Sequence, residues 1–294
     1  MEIDLAWLLL LPVLFSLGWS IARYDRFQRR GELDAVSQHV LRSMSAVLSN
    51  DYGPATDELI QAAGLAPDSP DLHRAVGNLY RNRGLVDRAI EVHEAALRHP
   101  NLSLAHRAAL MLDLARDYRA AGLFDRSEDV LVDLLNRSGE PGVVSAQLAN
   151  EARTLLVDLF QTTRDWPRAI YWLQEAHLHQ AECAPHSYEQ LMGHMHCELA
   201  DEALARKDLA AAQAALAMAE TFDSPGVATR CAALRTLLAN PQAHTGPGES
   251  VASVAPPTAT QAEVQACSVC GFRSRQVYWQ CPACHHWDTF KPSR

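Results

Sequence analysis

Small residues recur along the middle of this chain in fixed company, and that repeat limits the fold more than any other feature. Ala55, Ala89, Ser127, Ala169 and Ala212 are spaced 34, 38, 42 and 43 residues apart. Nine residues before the last four stand Tyr80, Tyr118, Phe160 and Ala203; five before come Gly84, Gly122, Arg164 and Lys207. Three before the five are Tyr52, Val86, Phe124, Trp166 and Leu209; four after are Leu59, His93, Leu131, Leu173 and Leu216; seven after are Ala62, Ala96, Leu134, Ala176 and Ala219. A helix–turn–helix unit of about 34 residues with alternating small and large positions is the tetratricopeptide (TPR) pattern. Small side chains let two antiparallel helices approach, and the large ones fill the gap to the next pair. Glycine at the turn accepts a positive φ. Pro54 and Pro167 fall at second-helix starts, where a missing N–H is no loss, and Pro67, Pro100 and Pro225 end units.

The pattern predicts a TPR α-solenoid of about five units over 36–240, with loops inserted near 138–143 and 181–186 and a terminal helix over 226–239. First helices of such a stack line a concave face that holds peptides or partner helices. Arg74, Asn78, Arg81, Asn82, Arg116 and Arg119 occupy first-helix positions. The default for such a row is a solvated helix face.

Residues 5–22 carry no charge, and a stretch of 18 residues reaches the short end of what spans a bilayer as a helix. Trp7 and Trp19 stand near its ends; Glu2 and Asp4 precede it, and Arg23, Arg26, Arg29 and Arg30 follow in a basic juxtamembrane segment over 23–35. The positive-inside bias predicts an anchor over 1–22 with its N-terminus outside and the bulk of the chain in the cytoplasm. A secretory signal peptide would have the opposite flanks.

Residues 241–265 turn to Pro, Gly, Ala, Ser and Thr, the composition of a flexible linker with a mean span of about 25–30 Å. The domain that follows, 266–294, carries Cys267-x-x-Cys270 and Cys281-x-x-Cys284, two pairs ten residues apart. This is the spacing of a four-thiolate metal knuckle. A segment this short cannot fold on an apolar core and needs an ion instead. Four thiolates suit Zn²⁺ or iron, and spacing does not separate the two. Tyr278, Trp279, Trp287 and Phe290 are placed to wrap the site. Cys183, Cys197 and Cys231 lack ligand spacing and read as small buried residues.

Two strings are decoys. Cys281-Pro-Ala-Cys284-His285 matches a c-type haem attachment site, but that chemistry needs export and leaves Cys267 and Cys270 idle. His194 and His196 sit on different faces of a helix, against a shared metal. No phosphate-binding glycine loop, nucleophile elbow or H-E-x-x-H occurs, so the chain reads as a non-enzyme. A net charge of −9 argues against a nucleic-acid partner.

The chain resembles the LapB (YciM) family of lipopolysaccharide assembly proteins. The strings that carry the likeness are Gly77-Asn-Leu-Tyr-Arg81, Arg83-Gly84, Val86-Asp-Arg-Ala-Ile90, Arg116-Asp-Tyr118, Ala120-Ala-Gly-Leu-Phe-Asp-Arg126, Glu128-Asp129, Cys197-Glu-Leu-Ala200, Tyr278-Trp279, the second cysteine pair, Trp287 and Lys291-Pro292. The resemblance implies an inner-membrane adaptor that restrains lipopolysaccharide synthesis by promoting degradation of LpxC by the protease FtsH, with other lipopolysaccharide-pathway membrane proteins as partners. It implies a rubredoxin-like module with iron on Cys267, Cys270, Cys281 and Cys284. It leaves a homo-oligomer open, and a general membrane scaffold or a redox-sensing module stands as the alternative. Two departures matter: fewer repeats than the family typically has, and His285 where free rubredoxins have glycine. The first puts fixed docking of the knuckle in doubt. The expected class is therefore all-α: one transmembrane helix, a TPR solenoid and a small four-cysteine knuckle, rubredoxin-like or zinc-ribbon-like.

Overall fold

The computed structural model describes residues 5–139, 144–179, 188–239, 264–275 and 278–292. The inserted loops at 140–143 and 181–186 and nearly all of the linker lie outside them. Two compact units divide the chain, residues 1–127 and 128–294. Both are built on paired helices, and the second also holds a small sheet.

In the first unit α1 (Leu5–Leu48) is followed by α2 (Tyr52–Leu65), α3 (Pro70–Asn82), α4 (Val86–Leu97), α5 (Leu104–Ala120) and the start of α6 (Phe124–Asn136). At 1.5 Å per residue, the 44 residues of α1 extend about 66 Å. Its second half is the first helix of the first pair: Val40 and Ala46 pack with Ala55, Leu59, Val76 and Leu79, and the Ser43 hydroxyl donates to Ala55 O at 2.9 Å. The expected anchor and juxtamembrane segment thus run into the repeat as one helix. Residues 1–4, and the side chains of 5–13 and 25–33, lie outside the description. Among the described residues no helix is long and apolar enough to cross a membrane.

The second unit holds the rest of α6, α7 (Ala146–Thr163), α8 (Trp166–Leu178), α9 (Tyr188–Ala205), α10 (Leu209–Ala219) and α11 (Pro225–Ala239). A three-stranded antiparallel sheet follows, with β1 (Gln265–Cys267) between β2 (Arg273–Ser274) and β3 (Phe290–Pro292). The described residues are therefore all-α except for the knuckle, whose short strands tie its ends together. Gln265, read as linker, is buried in β1.

The repeat positions behave as their residue types require. Ala55, Ala89, Ser127, Ala169 and Ala212 are all fully buried. Tyr52, Val86, Phe124, Trp166 and Leu209 are the first residues of α2, α4, α6, α8 and α10. Each first helix ends in the same turn: a residue at φ near +60° to +75° (Asn50, Gly84, Gly122, Arg164, Lys207), whose successor donates its N–H five residues back. These bonds are Asp51 to Ala46, Leu85 to Tyr80, Leu123 to Tyr118, Asp165 to Phe160 and Asp208 to Ala203, at 2.8–2.9 Å. This is the Schellman arrangement, in which a left-handed residue closes the helix. Three of the five turns have no glycine and hold a strained side chain instead. Asn50 completes the set, which the sequence pattern alone left at four.

The first-helix arginines do not form a plain solvated row. In the first unit Arg74 donates to Asp113 at 2.8 Å, Arg81 to Asp117 at 2.6 Å and Arg116 to Asp113 at 3.0 Å. Asp113 and Asp117 are buried on α5, and Asp117 also meets the buried His93. The arginines of α3 thereby tie successive first helices together.

Candidate metal centre

The knuckle begins as two copies of one backbone turn. In the first, Cys267 N–H donates to Phe272 O and Gly271 N–H to Cys267 O; in the second, Cys281 N–H donates to His286 O and His285 N–H to Cys281 O, all at 2.8–2.9 Å. The fifth residue of each turn is left-handed: Gly271 at φ 75° and His285 at φ 58°. His285 thus takes the glycine conformation at the cost of side-chain strain. Each C-x-x-C turn aims its sulfurs toward the other.

All four sulfurs lie within 4.8 Å of one another. Cys267 Sγ and Cys284 Sγ are 3.6 Å apart, and Cys270 Sγ and Cys281 Sγ 3.7 Å. A tetrahedron of roughly 2.3 Å metal–sulfur bonds has edges of about 3.8 Å, so the set fits a single four-coordinate cation. Burial opposes ionisation of Cys267, but hydrogen bonds with Thr289 Oγ1 and the N–H groups of Cys270 and Val269 outweigh it and bring the thiol down to about 6. Burial and the neighbouring sulfurs push Cys284 up to about 12. One thiolate is therefore ready near neutral pH, and the remaining protons leave as a cation binds. Cys267, Cys270, Cys281 and Cys284 form a metal-binding site. Tyr278 and Phe272 pack on Phe290 (centroids 5.7 and 6.4 Å apart) and wrap the knuckle as expected.

Trp287 does something else. Its ring leaves the knuckle and is 1% exposed among α7, α8, α9 and α11. The indole N–H donates to Gln161 Oε1 at 2.9 Å. His194 stacks on one face at 4.7 Å and 11°, Trp166 meets it edge-on at 6.2 Å, and the Arg230 guanidinium lies 5.9 Å from its centre. The next residue completes the seat: Asp288 Oδ2 accepts from Gln190 Nε2 and meets His194 Nε2, each at 2.8 Å. Gly226 at the start of α11 leaves room for that carboxylate, since a Cβ there would lie 2.3 Å from it. The knuckle is docked on the helices.

Charge beneath the seat is balanced. Glu198 accepts from Arg230 at 2.6 Å and from Arg164 at 2.9 Å. Burial opposes its ionisation, but the two guanidiniums overcome this and hold the carboxyl below the usual range. His194 is pushed down by burial, partly opposed by Asp288, and is neutral at pH 7. His196 instead stacks on Phe222, so the two histidines do serve different faces. Cys197 and Cys231 are buried as expected; Cys183 lies outside the described residues. Sequence reasoning missed Gln161, Gln190, His194 and Arg230 as a receptor for Trp287 and Asp288. A buried-type helix face carrying Gln, His, Glu and Arg was the available signal.

A family model described as a rubredoxin metal-binding domain matches residues 266–292. Lipopolysaccharide assembly protein B of Escherichia coli (strain K12) is 29% identical over 202 residues, covering 68% of this chain and 49% of that protein. Over those 202 residues the chain is similar to lipopolysaccharide assembly protein B. The Haemophilus influenzae protein of the same name is 28% identical over 171 residues, covering 55% of this chain and 41% of its own. The chain spans about half the length of the curated relatives it matches. Among solved structures, BtubC from P. vanneervenii aligns at TM-score 0.46 and 18% identity, covering 80% of this chain and 93% of that one.

Proposed function

We propose that this chain is a non-enzymatic, membrane-anchored adaptor of lipopolysaccharide assembly, working at the cytoplasmic face of the bacterial inner membrane. The observation that carries the reading is the metal knuckle seated on repeat helices in a chain related to lipopolysaccharide assembly protein B. Helix pairs of this kind present side chains in rows to protein partners. A cation at one end adds rigidity and no reaction.

The anchor is residues 5–22, with the N-terminus periplasmic. Leu14, Phe15, Leu17, Trp19 and Ile21 are more than half exposed on α1, an apolar surface that suits lipid or a partner's membrane helices. The continuous helix would then act as a stalk between bilayer and first repeat. The proposed ion is iron, in keeping with a rubredoxin-type module, and the proposed partners are FtsH, LpxC and other lipopolysaccharide-pathway membrane proteins. The adaptor brings substrate and protease together.

Deleting the gene and following LpxC by immunoblot tests the regulatory step. LpxC should accumulate, and unchanged LpxC with unchanged half-life removes it. Affinity purification from solubilised membranes tests the partners. Recovery of a different envelope complex, with neither FtsH nor lipopolysaccharide-pathway proteins, would favour a general scaffold. Elemental analysis and visible absorption of the same sample identify the ion: a colourless zinc protein would overturn the iron assignment and leave the adaptor standing.

A further inference from the structure

Two cysteines outside the knuckle face each other inside the second unit. Cys197 on α9 and Cys231 on α11 are 0% and 3% exposed, and their sulfurs are 3.7 Å apart. Their sequence neighbours are the residues that seat the knuckle. His194, stacked on Trp287, lies one turn before Cys197; Glu198 follows Cys197; Arg230, which Glu198 binds, precedes Cys231. The thiols therefore report the spacing of the two helices at the point where that spacing sets the receptor.

We propose that Cys197 and Cys231 are an oxidative modification site, a dithiol that hydrogen peroxide closes to a disulfide, and that closure loosens the seat of Trp287. The sulfur of Cys231, as thiolate, attacks one peroxide oxygen; the O–O bond breaks, hydroxide leaves and is protonated to water, and Cys231 becomes a sulfenic acid. Cys197 sulfur then attacks that sulfur. The S–S bond forms, the S–O bond breaks, and the departing hydroxide takes the Cys197 proton as water. Two thiols and one peroxide give one disulfide and two waters, with two electrons passing from sulfur to oxygen. Cys231 is the member suited to attack first: the hydrogen bond from Cys197 holds its thiol below the ordinary value, although burial opposes this. The same shared bond, together with burial, pushes Cys197 up. Peroxide is close to water in size and reaches buried thiols through brief local openings.

A disulfide is about 2.05 Å long, so the sulfurs must close by roughly 1.7 Å. Side-chain rotation supplies part of that and helix movement the rest. The Arg230–Glu198 bond of 2.6 Å sits one residue from both thiols, and hydrogen bonds weaken sharply on lengthening by even half of such a shift. Relaxing that bond frees Arg230 from its place over Trp287.

The full-length, metal-loaded protein is treated with graded hydrogen peroxide, then alkylated and mapped by mass spectrometry, with amide exchange read over 190–198 and 286–290. The expected result is a 197–231 cross-linked peptide, reversed by dithiothreitol, with exchange at 286–290 rising about tenfold. Cys231→Ala and Cys197→Ala, made separately, give the background from oxidation of the knuckle thiols; each should show no cross-link and a smaller rise. Untreated exchange verifies that each variant is folded. Cys197 and Cys231 both remaining alkylatable once the knuckle cysteines are oxidised would overturn the proposal. So would a cross-link accompanied by no more exchange than in Cys231→Ala.

Discussion

Replacing Trp287 by alanine separates two roles that the sequence merges, wrapping the ion and fastening the knuckle to the helices. The ring is 1% exposed and lies in the repeat helices. Its removal from such a site costs about 3–5 kcal/mol, and the Gln161 amide, itself 8% exposed, loses its donor at about 1 kcal/mol or more. Taking about 4 kcal/mol for the whole, the docking constant falls roughly 10³-fold. The linker still holds the knuckle at an effective concentration in the millimolar range, which does not offset a loss of that size. Amide exchange in the full-length protein should therefore rise over 190–198 and 157–163, while the four cysteines keep their ion by elemental analysis. Trp287→Phe, which keeps an apolar ring and loses the N–H, should show an intermediate response. Unchanged protection on α9 would refute the docking argument. Loss of the ion alongside undocking would refute the division of roles, because Trp287 would then belong to the knuckle's own core.

Serine at Cys267 or Cys284 should release the ion and raise exchange on α9 as Trp287→Ala does, since the knuckle has no other core; metal retained at one per chain in either variant would contradict this. His285→Gly should strengthen the knuckle by about 0.5–1 kcal/mol, because relief of a left-handed side chain outweighs the added chain entropy, and it should slow metal loss to a chelator several-fold; faster loss would show that φ 58° is not strained there. Docking should weaken as pH falls. His194 has a folded value below its unfolded value of about 6.5, so the stability it carries is present above that pH and drains as pH drops toward the folded value, by up to about 1.4 kcal/mol per unit. Asp288 and Glu198 favour its proton and Arg230 opposes it, so His194→Gln should flatten the dependence measured by exchange between pH 7 and 5. In the first unit Asp117→Asn leaves Arg81 without its carboxylate partner and should lower stability by about 3 kcal/mol, read from the urea midpoint.

The repeat was legible because each of its constraints is local. A small residue is needed where two helices touch, a large one where the pairs stack, and a left-handed residue five positions before the contact. Residue type alone fixes the first two. It does not fix the third: Arg164 and Lys207 take the same conformation as Gly84 and Gly122, in turns closed by the same bonds, here to Phe160 O and Ala203 O. The cysteine quartet was legible for a similar reason, since two C-x-x-C turns constrain four ligands within eighteen residues. Arg74 and Arg81 were misread because their partners are aspartates 39 and 36 residues away, a distance at which helix periodicity says which face a residue is on and nothing about what it meets.

The same limit hid the seat of the knuckle, and there the reason reaches further. Trp287 and Gln161 are 126 residues apart, joined only through a segment whose composition argues for free movement. A flexible connection reads as independence. The size of the knuckle points the other way, although Trp287 was expected to wrap the site: so short a segment has little interior for a second indole beside Trp279. An ion-built fold with one aromatic residue too many for its own interior must place that residue in a neighbour. The neighbour here prepared for it with Gly226, a buried neutral histidine and an arginine already neutralised by Glu198. A cation on the four cysteines would then do more than fold the knuckle: by fixing the direction in which Trp287 leaves the second C-x-x-C turn, it would decide whether α7, α9 and α11 close over a filled site or around a hole.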